Sequence, residues 1–146
     1  MSEGPILLVE DNSDDAVLIC LELEKKSGQR RVIWAKSGEN ALKYLFDENK
    51  LPDSDHSDLP SMVILDLDLG SMNGEQVLRR IRGEHNTHHI PVVIFTSAER
   101  KSQMESLYES GANSYVKKPG GYIDFKNAVN RIADYWLETN RTALRE

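Results

Sequence analysis

Met62-Val63-Ile64-Leu65-Asp66 and Ile6-Leu7-Leu8-Val9-Glu10-Asp11 end in the same way: an unbroken apolar run stops at acid. Short apolar runs without polar alternation read as strands buried on both faces, the habit of parallel sheets. If these two runs share one sheet, Glu10, Asp11 and Asp66 meet at one edge. Clustered carboxylates repel one another and raise each other's pKa unless a cation neutralises them. Hard divalent ions such as magnesium take oxygen ligands and keep several waters, so one or two carboxylates hold one. A third carboxylate beside such an ion is placed to accept a phosphoryl group.

The rest of the chain repeats this alternation. After the first strand, Pro5 to Val9, the stretch Asp11 to Asp15 offers several N-caps for a helix that runs to about Lys26 and stops at Ser27-Gly28. Arg31 to Ala35 reads as a second, edge strand. A short helix follows with Ala41, Leu42, Leu45 and Phe46 on one face, and then a polar surface loop from Asp47 to Pro60. The third strand is Ser61 to Asp66, and Met72-Asn73-Gly74 turns into a helix burying Val77, Leu78 and Ile81. Ile90 to Phe95 is the fourth strand, ending at Thr96-Ser97. Met104, Leu107 and Tyr108 mark the next helix, closed by Gly111. Asn113 to Lys117 is the fifth strand, Lys118-Pro119-Gly120-Gly121 turns, and a last helix is predicted from about Ile123 to Glu138. Five strands alternating with five helices predict an α/β fold, a parallel sheet wound on both faces. Such sheets bind ligands beyond the carboxyl ends of their strands. Those ends carry Glu10-Asp11, Asp66, Thr96 and Lys118: three acids, a hydroxyl and an ammonium on one rim.

A chain of 146 residues is the size of one domain, and 39% apolar with 29% charged residues suits a packed globular protein. The formal net charge of −6 argues against nucleic-acid binding by this chain alone. No apolar run approaches the roughly 20 residues that span a membrane, and the first residues lack the basic and apolar regions of a signal peptide. Cys20, the one cysteine, lies among Val17, Leu18, Ile19 and Leu21 and reads as a small core residue. These features predict a cytoplasmic protein.

The stretches ILLVEDN, VILDLDLGSMNG, PVVIFTS and YVKKPGG resemble those of response-regulator receiver domains, over about Pro5 to Leu137. The resemblance implies a five-stranded flavodoxin-like sheet in the order 2-1-3-4-5. It implies that Asp66 is the phosphoacceptor, that Glu10, Asp11 and Asp66 hold magnesium, and that the backbone carbonyl of Asp68 completes the metal site. Thr96 would be the switch hydroxyl, Lys118 the conserved-type lysine and Tyr115 the aromatic switch, with a cis Lys118-Pro119 bond. A histidine kinase would donate the phosphoryl group, and the face made by the fourth helix, fifth strand and fifth helix would carry the signal. Gly70 departs from the family's frequent proline and is expected to loosen its loop. Asp68 is an additional carboxylate, expected to alter phosphorylation and dephosphorylation rates.

A single receiver domain is expected across residues 1–146, with a core of about 5–138, a short tail of 139–146 and no effector domain. The long loop before the third strand and the ending Asp134-Tyr135-Trp136-Leu137-Glu138-Thr139 are similar to regulators that partner phytochrome-type histidine kinases, bacteriophytochromes among them. Exposed aromatics there would suit a homodimer through the last two helices and fifth strand. A downstream phosphotransfer or output protein is a further expected partner.

Blander readings compete. Glu10-Asp11 could cap the first helix, Thr96 could be an ordinary strand-end residue and Trp136 could simply pack in the core. His85, His88 and His89 lack partners at metal-ligand spacing and read as a solvated loop. Asp66-Leu67-Asp68 also resembles the nucleophile-acid pair of haloacid-dehalogenase-type phosphatases, a true enzyme, although that family carries the motif on its first strand. A degenerate receiver that never takes phosphate is the third reading.

Overall fold

The computed structural model describes residues 4–26, 28, 30–47, 59–98 and 101–142. The strands are β1 (Ile6–Val9), β2 (Val32–Ala35), β3 (Met62–Leu65), β4 (Val92–Thr96) and β5 (Ser114–Lys117). The helices between and after them are α1 (Ser13–Lys26), α2 (Gly38–Phe46), α3 (Gly74–Gly83), α4 (Lys101–Glu109) and α5 (Tyr122–Ala133). All pairings are parallel and the order is β2-β1-β3-β4-β5, as the resemblance implied.

The apolar runs explain the layers. Successive side chains on a strand point to opposite faces. Leu7, Val9, Val63, Leu65, Val92 and Ile94 pack with α2 and α3, while Ile6, Leu8, Met62, Ile64, Val93 and Phe95 pack with α1 and α5. A strand buried on both faces can afford no polar position, hence the unbroken runs. Local caps fix where helices begin: Asn12 Oδ1 accepts from the amide of Asp15, Ser37 Oγ from Asn40, and Asn73 and Gln76 form a reciprocal capping box.

Two expectations are corrected. The last helix is not α-helical to Glu138: α5 ends at Ala133 and Asp134–Thr139 forms a wider π turn. Asn140 N bonds to Tyr135 O at 2.6 Å, and Trp136 and Leu137 both pack on the α1–α5 core layer while Tyr135 stays exposed. Tertiary packing has overridden the local 3.6-residue period. The second correction concerns Lys118-Pro119, because no peptide bond among the described residues is cis. The two isomers of an X-Pro bond differ by only about 0.5–1 kcal/mol, so the dipeptide alone does not decide between them. Residues 48–58, most of the predicted polar loop, lie outside the described residues. Among the described residues, no helix is long and apolar enough to cross a membrane.

Candidate functional site

Strand register assembles the rim. Val9 pairs with Leu65, so the next residues, Glu10 and Asp66, emerge level from adjacent strands. Their backbones stay in the ladder: Asp66 N bonds to Val9 O at 3.0 Å and Glu10 N to Ala35 O at 3.1 Å. Thr96 pairs with Lys117, and Lys118 N continues the pattern to Thr96 O at 2.7 Å. Glu10, Asp66 and Lys118 fall on the α1–α5 side by the same alternation, whereas Lys117 points away and is exposed.

Glu10, Asp66, Thr96 and Lys118 are each less than a tenth exposed. Glu10, Asp11 and Asp66 offer carboxylate oxygens that all lie within 4.8 Å of one another. The Lys118 ammonium sits on three carboxylates: Glu10 at 2.8 Å, Asp15 at 2.8 Å and Asp66 at 3.1 Å. Asp66 Oδ1 is held from behind by the Leu67 amide at 2.7 Å. Asp68, two residues on, has an exposed side chain.

Burial pushes the Glu10 carboxyl from an ordinary 4.5 up to about 7, with Asp66 adding to the rise against the pull of Lys118. Burial opposes ionisation of Asp66 as well, but the nearby Thr96 hydroxyl, Glu10 and Lys118 outweigh it and hold that carboxyl below its usual value. Burial and crowding thus disfavour the charge on Glu10, while its neighbours favour the ionised form of Asp66, as a nucleophile needs. Burial alone would lower Lys118; its bonds to Asp15 and Glu10 and the charge of Asp66 reverse this and raise it above an ordinary lysine. Thr96 Oγ1 is fully enclosed, yet it makes no well-formed hydrogen bond with any described residue. An enclosed hydroxyl this weakly engaged is uncommon, and it is suited to an incoming oxygen.

The donor set fits magnesium in type: hard oxygen ligands in a crowded acidic pocket whose charge a divalent ion relieves. The loop after β3 is shaped by glycine twice. Gly70 takes φ +83°, which proline cannot adopt, so the departure at this position marks a different turn. That turn is also tied down, since Ser71 Oγ bonds to Glu39 Oε2 at 2.6 Å. Gly74 passes so close to the Asp66 backbone that a Cβ would lie 2.4 Å from its carbonyl oxygen.

Tyr115 is half-buried and its hydroxyl donates to the carbonyl of Ala98, in the loop just after Thr96. The three histidines lie in the turns before β4, where His85 and His88 stack at 5.7 Å, and they form no metal cluster among the described residues. Two contacts were missed from sequence. Asp15 reaches Lys118 across 103 positions, and Trp34 Nε1 bonds to the backbone oxygen of Glu10 at 2.8 Å. Nothing local marks either: Asp15 is one of several acids at the start of α1, and Trp34 lies on an edge strand.

Residues 6–130 match the response regulator receiver domain family. A protein of Methanothrix harundinacea described as probable methanogenesis regulatory protein FilR2 is 37% identical over 137 residues, which is 94% of this chain and 86% of that protein. Among solved structures, the phosphorylated cyanobacterial phytochrome response regulator RcpA superposes with a TM-score of 0.89 at 27% identity, over 97% of this chain and 99% of that one. The Mn2+-bound form of response regulator Rcp1 does so at 0.87 and 28% identity, with the same coverage. With its acid-bearing strand third in the chain and central in the sheet, as against the first-strand motif of the phosphatase alternative, this chain belongs to the response-regulator receiver family.

Proposed function

We propose that this receiver accepts a phosphoryl group on Asp66 from the phosphohistidine of a sensor kinase of the phytochrome type, in the cytoplasm. One observation carries the reading: an ammonium, a metal-competent acidic triad and an enclosed hydroxyl converge on a single carboxylate held toward its ionised form. Phosphoryl transfer is mostly positioning and charge neutralisation, and these groups supply both. Glu10, Asp11 and Asp66, with the Asp68 backbone carbonyl, would hold magnesium, which when bound neutralises negative charge on the transferred group. An Asp66 carboxylate oxygen attacks phosphorus, the bond from phosphorus to the kinase imidazole breaks, and its electron pair returns to the ring nitrogen. Lys118 donates to a phosphoryl oxygen and the Thr96 hydroxyl to another. Drawing Thr96 inward shifts the loop that carries Ala98, and Tyr115, bonded to that loop, passes the shift to the α4-β5-α5 face.

Phytochrome coupling is supported by the similarity to RcpA across nearly the whole of both chains. A homodimer is supported by Tyr122, Ile123 and Tyr135, which are large, apolar and exposed on α5 and the π turn. Incubation with phosphoramidate and magnesium, followed by intact-mass spectrometry, tests the chemistry: one acid-stable, base-labile phosphate on the parent, none on Asp66→Asn. Transfer from a light-controlled phytochrome kinase should outpace transfer from an unrelated kinase. Size-exclusion chromatography before and after phosphorylation reads the dimer, which Ile123→Glu should weaken. An Asp66→Asn protein phosphorylated like the parent would refute the assignment.

A further inference from the structure

The Lys118 ammonium has three hydrogens and three carboxylate acceptors, so each donor is used. Two of those acceptors, Glu10 and Asp66, belong to the acidic triad; Asp15 does not. Asp15 approaches from the first turn of α1 with its side chain 28% exposed, against 5% for Lys118, so it closes the solvent side of the ammonium. Its backbone is tied to the same rim. Asp15 N bonds to Asn12 Oδ1 at 2.9 Å, and Asn12 N bonds to Glu10 Oε2 at 3.1 Å.

We infer that Asp15 is a positioning residue for phosphoryl transfer, the one carboxylate committed to holding the Lys118 ammonium over Asp66. The inference rests on the reading of Asp66 as phosphoacceptor. A cation draws on Glu10 and Asp66, and phosphorylation converts Asp66 into a mixed anhydride, so two of the three acceptors are called elsewhere during the reaction. Asp15 remains. Holding one ammonium hydrogen, it leaves the other two for phosphoryl oxygens and prevents the flexible four-carbon stem from swinging into water. A geometry fixed before the reaction is what such a step rewards. The competing account makes Asp15 an acidic residue that only favours the N-terminus of α1. That account predicts a loss of stability independent of Lys118.

The test compares the parent with Asp15→Ala, Asp15→Asn, Lys118→Ala and the Asp15→Ala/Lys118→Ala double variant. Phosphorylation by phosphoramidate at saturating magnesium is followed by intact mass, and magnesium affinity is titrated separately. Asp15→Ala should slow phosphorylation about tenfold, the size expected for one lost charge-assisted hydrogen bond. Asp15→Asn, which keeps an acceptor oxygen, should recover most of the rate. Magnesium affinity should hold, and Asp15→Ala should add nothing once Lys118 is gone. The ammonium protons of Lys118, followed by 15N NMR without any phosphodonor, should exchange faster with water in Asp15→Ala. An unchanged or faster rate, equal slowing with and without Lys118, or unaltered ammonium exchange would each overturn the inference. Failure of the underlying reading looks different: the parent and Asp66→Asn would take phosphate alike or not at all, and the inference would fall with it.

Discussion

Replacing Gly74 with alanine separates the architecture of the site from its chemistry. A Cβ at 74 would lie 2.4 Å from the Asp66 carbonyl oxygen and 3.0 Å from Leu67 Cα. Both obstacles are backbone, so no side chain can rotate away. Ordinary carbon contacts begin near 3.5 Å, so the start of α3 and the end of β3 must part by about 1 Å. Gly74 N also bonds to Leu67 O at 3.0 Å, a bond that any such separation would strain. Overpacking of this kind costs about 1–3 kcal/mol, against a gain of at most ~1 kcal/mol from alanine's helix propensity. With the full propensity gain the net expectation is a loss of about 0–2 kcal/mol in urea denaturation, which leaves the protein folded. Phosphorylation should suffer more, because a misplacement of about 1 Å at a reacting group can cost on the order of a hundredfold in rate. Gly83→Ala is the control: it ends the same helix and its Cβ would meet nothing within 4 Å. It should be neutral or slightly stabilising and leave the rate alone. If Gly74→Ala matched the parent in both stability and rate, the argument that this glycine sets the Asp66 backbone would be refuted.

Three further outcomes follow from the site. Thr96→Val replaces an enclosed hydroxyl that lacks a well-formed bond with a methyl of similar size; denaturation should show unchanged or higher stability, by up to about 1 kcal/mol, while phosphorylation-dependent change in the α4-β5-α5 face is lost in NMR spectra. Glu10 holds its proton to about 7 against an ordinary 4.5; the folded state thus binds that proton more tightly than the unfolded state, so the metal-free stability contribution is full below 4.5 and is lost as pH rises through about 7. Thermal melts from pH 5 to 8 should show that decline, and Glu10→Gln should flatten it. Trp34, bonded through Nε1 to the Glu10 carbonyl oxygen with Lys36 over its ring at 5.0 Å, should change its emission on magnesium titration; Trp34→Phe should abolish the change although Trp136 remains.

Sequence carried the fold because burial on both faces leaves a strong mark: Ile6–Val9, Met62–Leu65 and Val92–Phe95 contain no polar residue to blur their limits. Part of the site was legible for the same reason: Glu10, Asp66 and Thr96 each stand at the first position where such a run breaks, and Asp11 and Lys118 stand one residue beyond it. What stayed hidden depends on relations between elements. Asp11, Asp14 and Asp15 are equivalent in composition, and only the path of α1 brings Asp15 onto Lys118 while Asp14 remains exposed. The π turn follows from the packing of Trp136 and Leu137 on the core, which the helical period of the last segment does not reveal. The trans Lys118-Pro119 bond belongs with these, a near balance decided outside the dipeptide.

The charge of the site bears on the order of events. Glu10, Asp15 and Asp66 place three carboxylates on one ammonium, Asp11 lies beside Glu10 and Asp66, and burial disfavours the charge on Glu10 below about 7. A phosphodonor brings more negative charge to a pocket already in deficit, and partly buried charges are screened far less than exposed ones. Lys118 cannot correct this alone, because all three of its hydrogens are engaged before the donor arrives. A divalent ion changes both quantities. Held by Glu10, Asp11 and Asp66, it would offset two negative charges, and Lys118 would then have hydrogens to donate to a phosphoryl oxygen. The cation should therefore precede the donor, and the donor concentration needed for half-maximal rate should fall as magnesium rises, with the reverse order contributing no flux.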